Sequence, residues 1–139
     1  MWLYESKEFN EVPDGVIGFV YLITNLTTGK KYVGKKGFFS TRRIKSKKTV
    51  RRKVKTSNSD WLDYYGSNDA LAADLAVTGA GNYQREILHL CKSKGEMSYM
   101  ELKEQIDRNV LFRDDYFNSY IGARIHRSHM RGWHGPAKE

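Results

Sequence analysis

The first dozen residues mix apolar and polar types without a clear period, and Pro13-Asp14-Gly15 marks a turn. The pattern then changes. Residues 18–24 read Gly-Phe-Val-Tyr-Leu-Ile-Thr, rich in β-branched and aromatic types, and predict a strand. Asn25-Leu26-Thr27-Thr28-Gly29 supplies turn residues, and Lys31-Tyr32-Val33-Gly34 predicts the returning strand of a β-hairpin. In residues 42–55, Ile44, Val50 and Val54 give only a thin apolar stripe. The expectation there is a short helix from Thr41 running into a mobile loop, since like charges at helical spacing repel. Trp61, Leu62, Tyr64 and Tyr65 bring the chain back to the core, and Gly66 ends that piece. Asn68 reads as the N-cap of an alanine-rich helix over 69–78, with Gly79 as its stop. Residues 83–90 have strand composition, with Tyr83, Ile87 and Leu88 as core candidates, and 92–95 read as a loop. Ser98-Tyr99-Met100-Glu101 has the form of a capping box, predicting a helix with Leu102, Ile106 and Val110 inward. A further element begins at Asp114, and the chain from Arg127 on reads as irregular.

These elements predict one α/β (α+β) domain with a small three-stranded, mainly antiparallel sheet flanked by helices. The expected division is an N-terminal extension over 1–16, the domain over 17–125 with a basic insertion at 42–55, and a tail over 126–139.

Composition changes the picture mainly through charge. The chain has 139 residues, 40% of them hydrophobic, enough to bury the core of one domain. Its longest apolar stretch, Phe19 to Ile23, is far short of the roughly 20 residues of a membrane span. The start carries acids and no apolar core, so neither a secretory leader nor a membrane location is expected. Cys91 is the single cysteine, which excludes an internal disulfide, fits a reducing cytoplasmic setting, and reads as a small buried residue. The net charge is +8, but residues 30–55 hold 13 basic residues and no acid. The other 11 basic residues share the rest of the chain with all 16 acids. A mildly acidic body with one concentrated cationic arm points to a polyanion, most simply nucleic acid. A solvated face is the plainer alternative.

Tyr21 and Tyr32 sit 11 residues apart on neighbouring strands of the predicted hairpin, and Arg42 lies within the basic run, 10 residues beyond Tyr32. By residue type alone the tyrosines are ordinary strand residues packing across a sheet. Taken together, however, Gly18-Phe-Val-Tyr-Leu-Ile-Thr-Asn25, four residues, then Lys30-Lys-Tyr-Val-Gly34 resembles the GIY-YIG nuclease family. Val20-Tyr21 stands for the first half of that motif and Tyr32-Val33-Gly34 for the second. Gly29 and Lys30 also fit, and Arg42 falls where the family's catalytic arginine is expected. Trp61, Tyr65-Gly66-Ser67 and the Tyr-Phe-Asn118 segment are similar to phage-borne, homing-type members. The resemblance spans roughly residues 17 to 125.

That resemblance implies hydrolysis of a phosphodiester in double-stranded DNA with one divalent ion per site, Mg²⁺ or Mn²⁺. Such a site needs a base, a cation near the leaving oxygen, and neutralisation of the phosphate. Tyr21 would be the general base and Tyr32 would hold the phosphate or the water. Arg42 would donate its planar fork to the phosphate. Glu101 matches the family's metal-binding glutamate, with Glu96 and Glu104 as rivals and a plain capping role as the alternative. Asn118 matches an asparagine near the phosphate, and otherwise a turn or core hydrogen bond. Many members carry a histidine four residues after the arginine; Ser46 stands there, and Lys35 could instead depress the tyrosine pKa. DNA contacts are expected from Lys36, Arg43, Lys45, Lys47, Lys48, Arg51, Arg52, Lys53 and Lys55.

His126, His129 and His134 have the look of zinc ligands, but without cysteines nearby backbone contacts or solvent exposure suit them better. A monomer should nick; a transient homodimer would allow double-strand cutting. The alternatives to a nuclease are a non-catalytic nucleic-acid-binding protein that keeps the GIY-YIG fold, and a basic RNA-binding protein.

Overall fold

The computed structural model of the chain describes residues 1–45, 52–122, 125–130 and 132; side chains at 41–56 and 130 lie outside the described set. The strands are β1 (Trp2–Tyr4), β2 (Lys7–Phe9), β3 (Gly18–Asn25), β4 (Lys31–Gly37), β5 (Phe39–Lys45), β6 (Arg52–Asn58), β7 (Tyr83–Cys91), β8 (Tyr120–Ile121) and β9 (Ile125–His126). Helix α1 spans Asp69–Thr78 and α2 spans Lys94–Asp107. The main sheet runs β2-β1-β7-β3-β4 and is antiparallel except for the β1–β7 pair.

The β3–β4 hairpin forms as the pattern predicts. Asn25 closes it: its side-chain oxygen accepts from the Thr27 and Thr28 N–H groups at 2.9 and 3.2 Å, and Gly29 takes the positive φ of 78° that the turn demands. The sheet has five strands, not the three expected. The added pair is β1–β2, whose apolar residues are spaced too irregularly to show in the sequence. Trp2 is 1% exposed and donates its indole N–H to the Trp61 carbonyl at 2.7 Å.

The core has two layers, one on each face of the sheet. Phe19, Tyr21 and Ile23 point to an aromatic layer with Trp2, Phe38, Trp61 and Leu71. Val20 and Leu22 point to the α2 side with Val33, Cys91, Met97 and Val110. The β3–β7 register shifts between Val20 and Tyr21. Such a bulge re-aims the side chain beside it. Leu88 is only partly buried, whereas Tyr83 and Ile87 are core residues as expected.

Helix α1 starts and stops where predicted: the Asn68 side chain accepts from the Leu71 N–H at 3.0 Å, and Gly79 ends the helix with φ +82°. Helix α2 differs from the prediction. It starts at Lys94 on an N-cap from Ser93, which accepts from the Glu96 N–H at 3.1 Å, while the Glu96 carboxylate accepts from the Lys92 N–H at 3.1 Å. The Ser-x-x-Glu pattern occurs twice, and the earlier copy is the cap. Ile106 is 48% exposed because the inward stripe is Met97-Glu101-Gln105, two of whose three members are polar.

Residues 42–45 and 52–55 are strand, not the expected helix, and the part of that expectation that falls on 46–51 lies outside the described residues. β5 and β6 pair antiparallel from Phe39↔Asn58 to Lys45↔Arg52, making a two-stranded ribbon that projects from the end of β4. β-branched Thr41, Ile44, Val54 and Thr56 favour this, and their weight was masked by the surrounding charge. No regular element begins at Asp114. Residues 115–118 run along β4, joined by bonds from the Lys31 N–H to the Asp115 carbonyl (2.9 Å) and from the Phe117 N–H to the Lys31 carbonyl (2.7 Å). β8 and β9 form a small hairpin beyond.

Candidate active site

β4 is an edge strand, and its free side is where the polar residues meet. An open edge must be satisfied or blocked. Here the Asn118 side chain does both: its Oδ1 accepts from the Val33 N–H at 3.0 Å and its Nδ2 donates to the Val33 carbonyl at 2.8 Å. Gln105 Nε2 also donates to that carbonyl, at 3.3 Å. The next outward N–H, that of Lys35, is hydrogen-bonded to the Glu101 carboxylate. Glu101 reaches this edge from α2 on one face of the sheet. Tyr32 reaches it from the other, since it pairs with Ile23 of the aromatic layer. Together with Ser67, Asn68, Gln105, Asn118, Ser119 and Tyr120 they line a cleft of about 350 Å³.

The paired tyrosines are set by a glycine. Gly34 lies opposite Tyr21 in register, and a Cβ there would come within 2.6 Å of Tyr21 Cζ and 3.0 Å of Tyr32 Cε1. Only a residue without a side chain lets the two rings approach, with centroids 6.2 Å apart. Gly66 serves the other side: with φ +91°, it packs against the Tyr32 ring. Tyr21 is 1% exposed, between Trp2, Phe19 and Tyr64. Burial pushes its phenol well above the usual tyrosine range, reinforced by Tyr32, Tyr64 and Glu101. Tyr32 is raised by burial too, opposed by a hydrogen bond with Ser67. Tyr32 therefore forms the cleft wall and Tyr21 stands behind it.

Glu101 is half-buried, and that burial raises its pKa; the Lys35 charge and the Lys35 N–H act the other way. A carboxylate held in this state gains from an approaching cation. Of its rivals, Glu96 is used as a cap, and Glu104 is bound at 2.8 Å to His89 and 2.9 Å to Arg108. One further oxygen is free for work. Gln105 is 5% exposed, its Nε2 is committed to the Val33 carbonyl, and its buried Oε1 has no partner. It lies at i+4 from Glu101, on the same face of α2.

The other expected residues are distributed as follows. Lys35 Nζ donates to Ser98 Oγ at 2.8 Å, beside Glu101. Lys36 is paired with Asp60 at 2.7 Å and sits 4.1 Å from the Tyr64 ring centre. Arg42, Arg43, Lys45, Arg52, Lys53 and Lys55 lie on the ribbon strands, but their side chains fall outside the described residues, as do Lys47, Lys48 and Arg51 altogether. His134 lies outside them as well. Among the described residues no three His, Cys, Asp or Glu side chains cluster as a metal site. The Cys91 thiol is buried, and burial pushes it up to about 11, which suits a packing role. Sequence reasoning missed Gln105, Ser67 and Tyr120. The position of Gln105, one helical turn after Glu101, was the signal available for it.

A tyrosine hairpin kept close by a glycine, with a helix carboxylate brought round the edge of its second strand, defines a nuclease-type GIY-YIG domain. Among known families, residues 2–121 match the one described as "Putative endonuclease segE, GIY-YIG domain". The chain belongs to the GIY-YIG endonuclease family, whose substrate is nucleic acid. No curated protein and no solved structure gave a match. No helix among the described residues is long and apolar enough to cross a membrane.

Proposed function

We propose that the chain is a metal-dependent endonuclease that hydrolyses phosphodiester bonds of double-stranded DNA, of the phage-borne homing or DNA-degrading kind. One arrangement supports the reading: Glu101 and Tyr32 line one cleft at the free edge of β4, in a chain that also carries a lysine- and arginine-rich ribbon. In register that ribbon sets Arg42 opposite Lys55 and Lys45 opposite Arg52. A strand pair of this composition, with no acid between residues 30 and 55, suits a polyanion.

The donor set suits Mg²⁺ or Mn²⁺. One carboxylate, with the unpartnered Gln105 Oε1 as a second oxygen and water for the rest, is the ligand chemistry of a hard cation that keeps its hydration shell. A divalent ion held by Glu101 would neutralise charge developing on the phosphate and the leaving oxygen. The remaining work falls to this chain. Tyr32, in the cleft wall, holds the attacking water or the phosphate. Tyr21, beside it behind Gly34, takes the water's proton as phenolate. Burial holds Tyr21 as the phenol in the free protein, so the phenolate forms only as positive groups gather: Lys35 beside Glu101, and Arg42, which clamps the phosphate. Asn118 acts on the reaction by fixing Val33, between Tyr32 and Gly34.

The test compares wild type, Arg42→Ala and Glu101→Ala on supercoiled plasmid with Mg²⁺ and with EDTA. Metal-dependent nicking, lost in both variants while gel-shift binding persists, is expected of a monomeric nuclease; direct linearisation would indicate a dimer. Salt-sensitive binding without cleavage of varied DNA would replace this reading with a non-catalytic DNA-binding protein.

A further inference from the structure

A second cavity, of about 560 Å³, lies where the end of β4, the first residue of β5 and the start of α2 converge. Its floor is apolar, made by Ile17, Met97 and Phe39, and its rim carries Lys35, Lys94 and Ser98. Phe39, the first residue of the ribbon, is 42% exposed and offers its ring to the cavity. The cavity adjoins the cleft through one residue. Lys35 gives its side chain to Ser98 on the rim and its main-chain N–H to Glu101. Ser98 and Glu101 are separated by about 4.5 Å along the helix axis, against roughly 3.4 Å of rise per nucleotide on one DNA strand. The acid nearest the rim on this helix, Glu96, is turned back onto the Lys92 N–H.

We infer that this cavity receives an unstacked nucleobase from the nucleotide adjoining the scissile phosphate, so that the preferred substrate is DNA carrying an unpaired nucleotide beside the cut. The inference rests on the nuclease reading for the position of the cut, but not for the binding itself. A phosphate alone would be served by the two lysines and would leave the apolar floor unused. A base stacked within a duplex shows only its edge and cannot reach Phe39. An everted base offers a π-face to Phe39 and Met97 while its phosphate lies between Lys35 and Lys94. Eversion costs least where the base is already unpaired.

The test measures binding in EDTA, so that no strand is cut. Duplexes of one sequence are compared, fully paired and with a single bulged nucleotide, by fluorescence anisotropy. Wild type should bind the bulged duplex at least tenfold more tightly. Phe39→Ala should bring that ratio below about twofold with little change for the paired duplex, and Phe39→Trp should restore it. With 5-iodouracil at the bulge, photo-crosslinks should map to Phe39 or Met97. Equal affinity for the two duplexes, an equal loss on both in Phe39→Ala, or crosslinks elsewhere would overturn the inference. A bulge preference that survives in a protein unable to cut any DNA with Mg²⁺ would remove the nuclease reading and leave this binding site standing.

Discussion

Replacing Gly34 by alanine adds one methyl group at the point where the two tyrosine rings are closest. The new carbon would lie 2.6 Å from Tyr21 Cζ and 3.0 Å from Tyr32 Cε1, inside the ~3.5–4.0 Å at which carbon atoms attract. Tyr21 has little room to retreat, because it is 1% exposed and packed against Trp2 and Phe19. The cost is that of an overpacked core, about 1–3 kcal/mol, which in a domain of this size lowers Tm by roughly 3–12 °C. Activity should fall further than stability, since a displacement of about 1 Å at reacting groups costs on the order of 100-fold. Thermal unfolding by circular dichroism and plasmid nicking below Tm read the two effects separately. Gly81→Ala is the control: its added methyl meets nothing within 4 Å, and its change should stay within about 0.5 kcal/mol. If Gly34→Ala kept both Tm and nicking rate at the control's level, the argument that this glycine exists to seat the tyrosines would be wrong.

Burial raises the Glu101 pKa, so the folded protein disfavours its charged form, and the group weakens the fold above its folded pKa. Glu101→Gln should therefore raise Tm at neutral pH, and leave it nearly unchanged in acid, while abolishing cleavage; a lower Tm at pH 7 would contradict the assignment. Tyr21 is held as a phenol by burial, so with saturating Mg²⁺ the logarithm of the cleavage rate should climb by about one per pH unit from 7 to 9. A flat profile measured under conditions where chemistry limits the rate would exclude Tyr21 as the base. Gln105→Met removes a buried oxygen that has no partner and one long bond to Val33. It should leave Tm within a few degrees yet raise the Mn²⁺ concentration needed for half-maximal tryptophan or tyrosine fluorescence change, and unchanged metal affinity would sever Gln105 from the site.

Local chemistry was legible where it was self-contained. The Asn25 and Gly29 turn, the Asn68 cap and the Gly79 stop act within a few residues of themselves, and all lie where the sequence puts them. Where one signal competed with another, the reading slipped. Ser93 and Ser98 both head a Ser-x-x-Glu pattern, and nothing local says which is the cap. The charge of residues 42–45 and 52–55 concealed their strand character. The inward stripe of α2 was mis-phased because Glu101 and Gln105 occupy it, so that hydrophobic periodicity failed at the positions that line the cleft. Tyr32 and Glu101 were nameable from the sequence. Their meeting from opposite faces of the sheet was not, because it depends on β4 being an edge strand, which only the strand order decides.

That edge has a consequence for the protein's behaviour outside any reaction. A bare edge strand invites a strand from another molecule, and β4 escapes this because Asp115, Phe117, Asn118 and Glu101 occupy its outward main-chain groups. The groups that make the cleft thus also block strand addition along this edge. Variants that strip Asn118 from Val33 would be expected to lose colloidal solubility, read by light scattering, whether or not cleavage is affected.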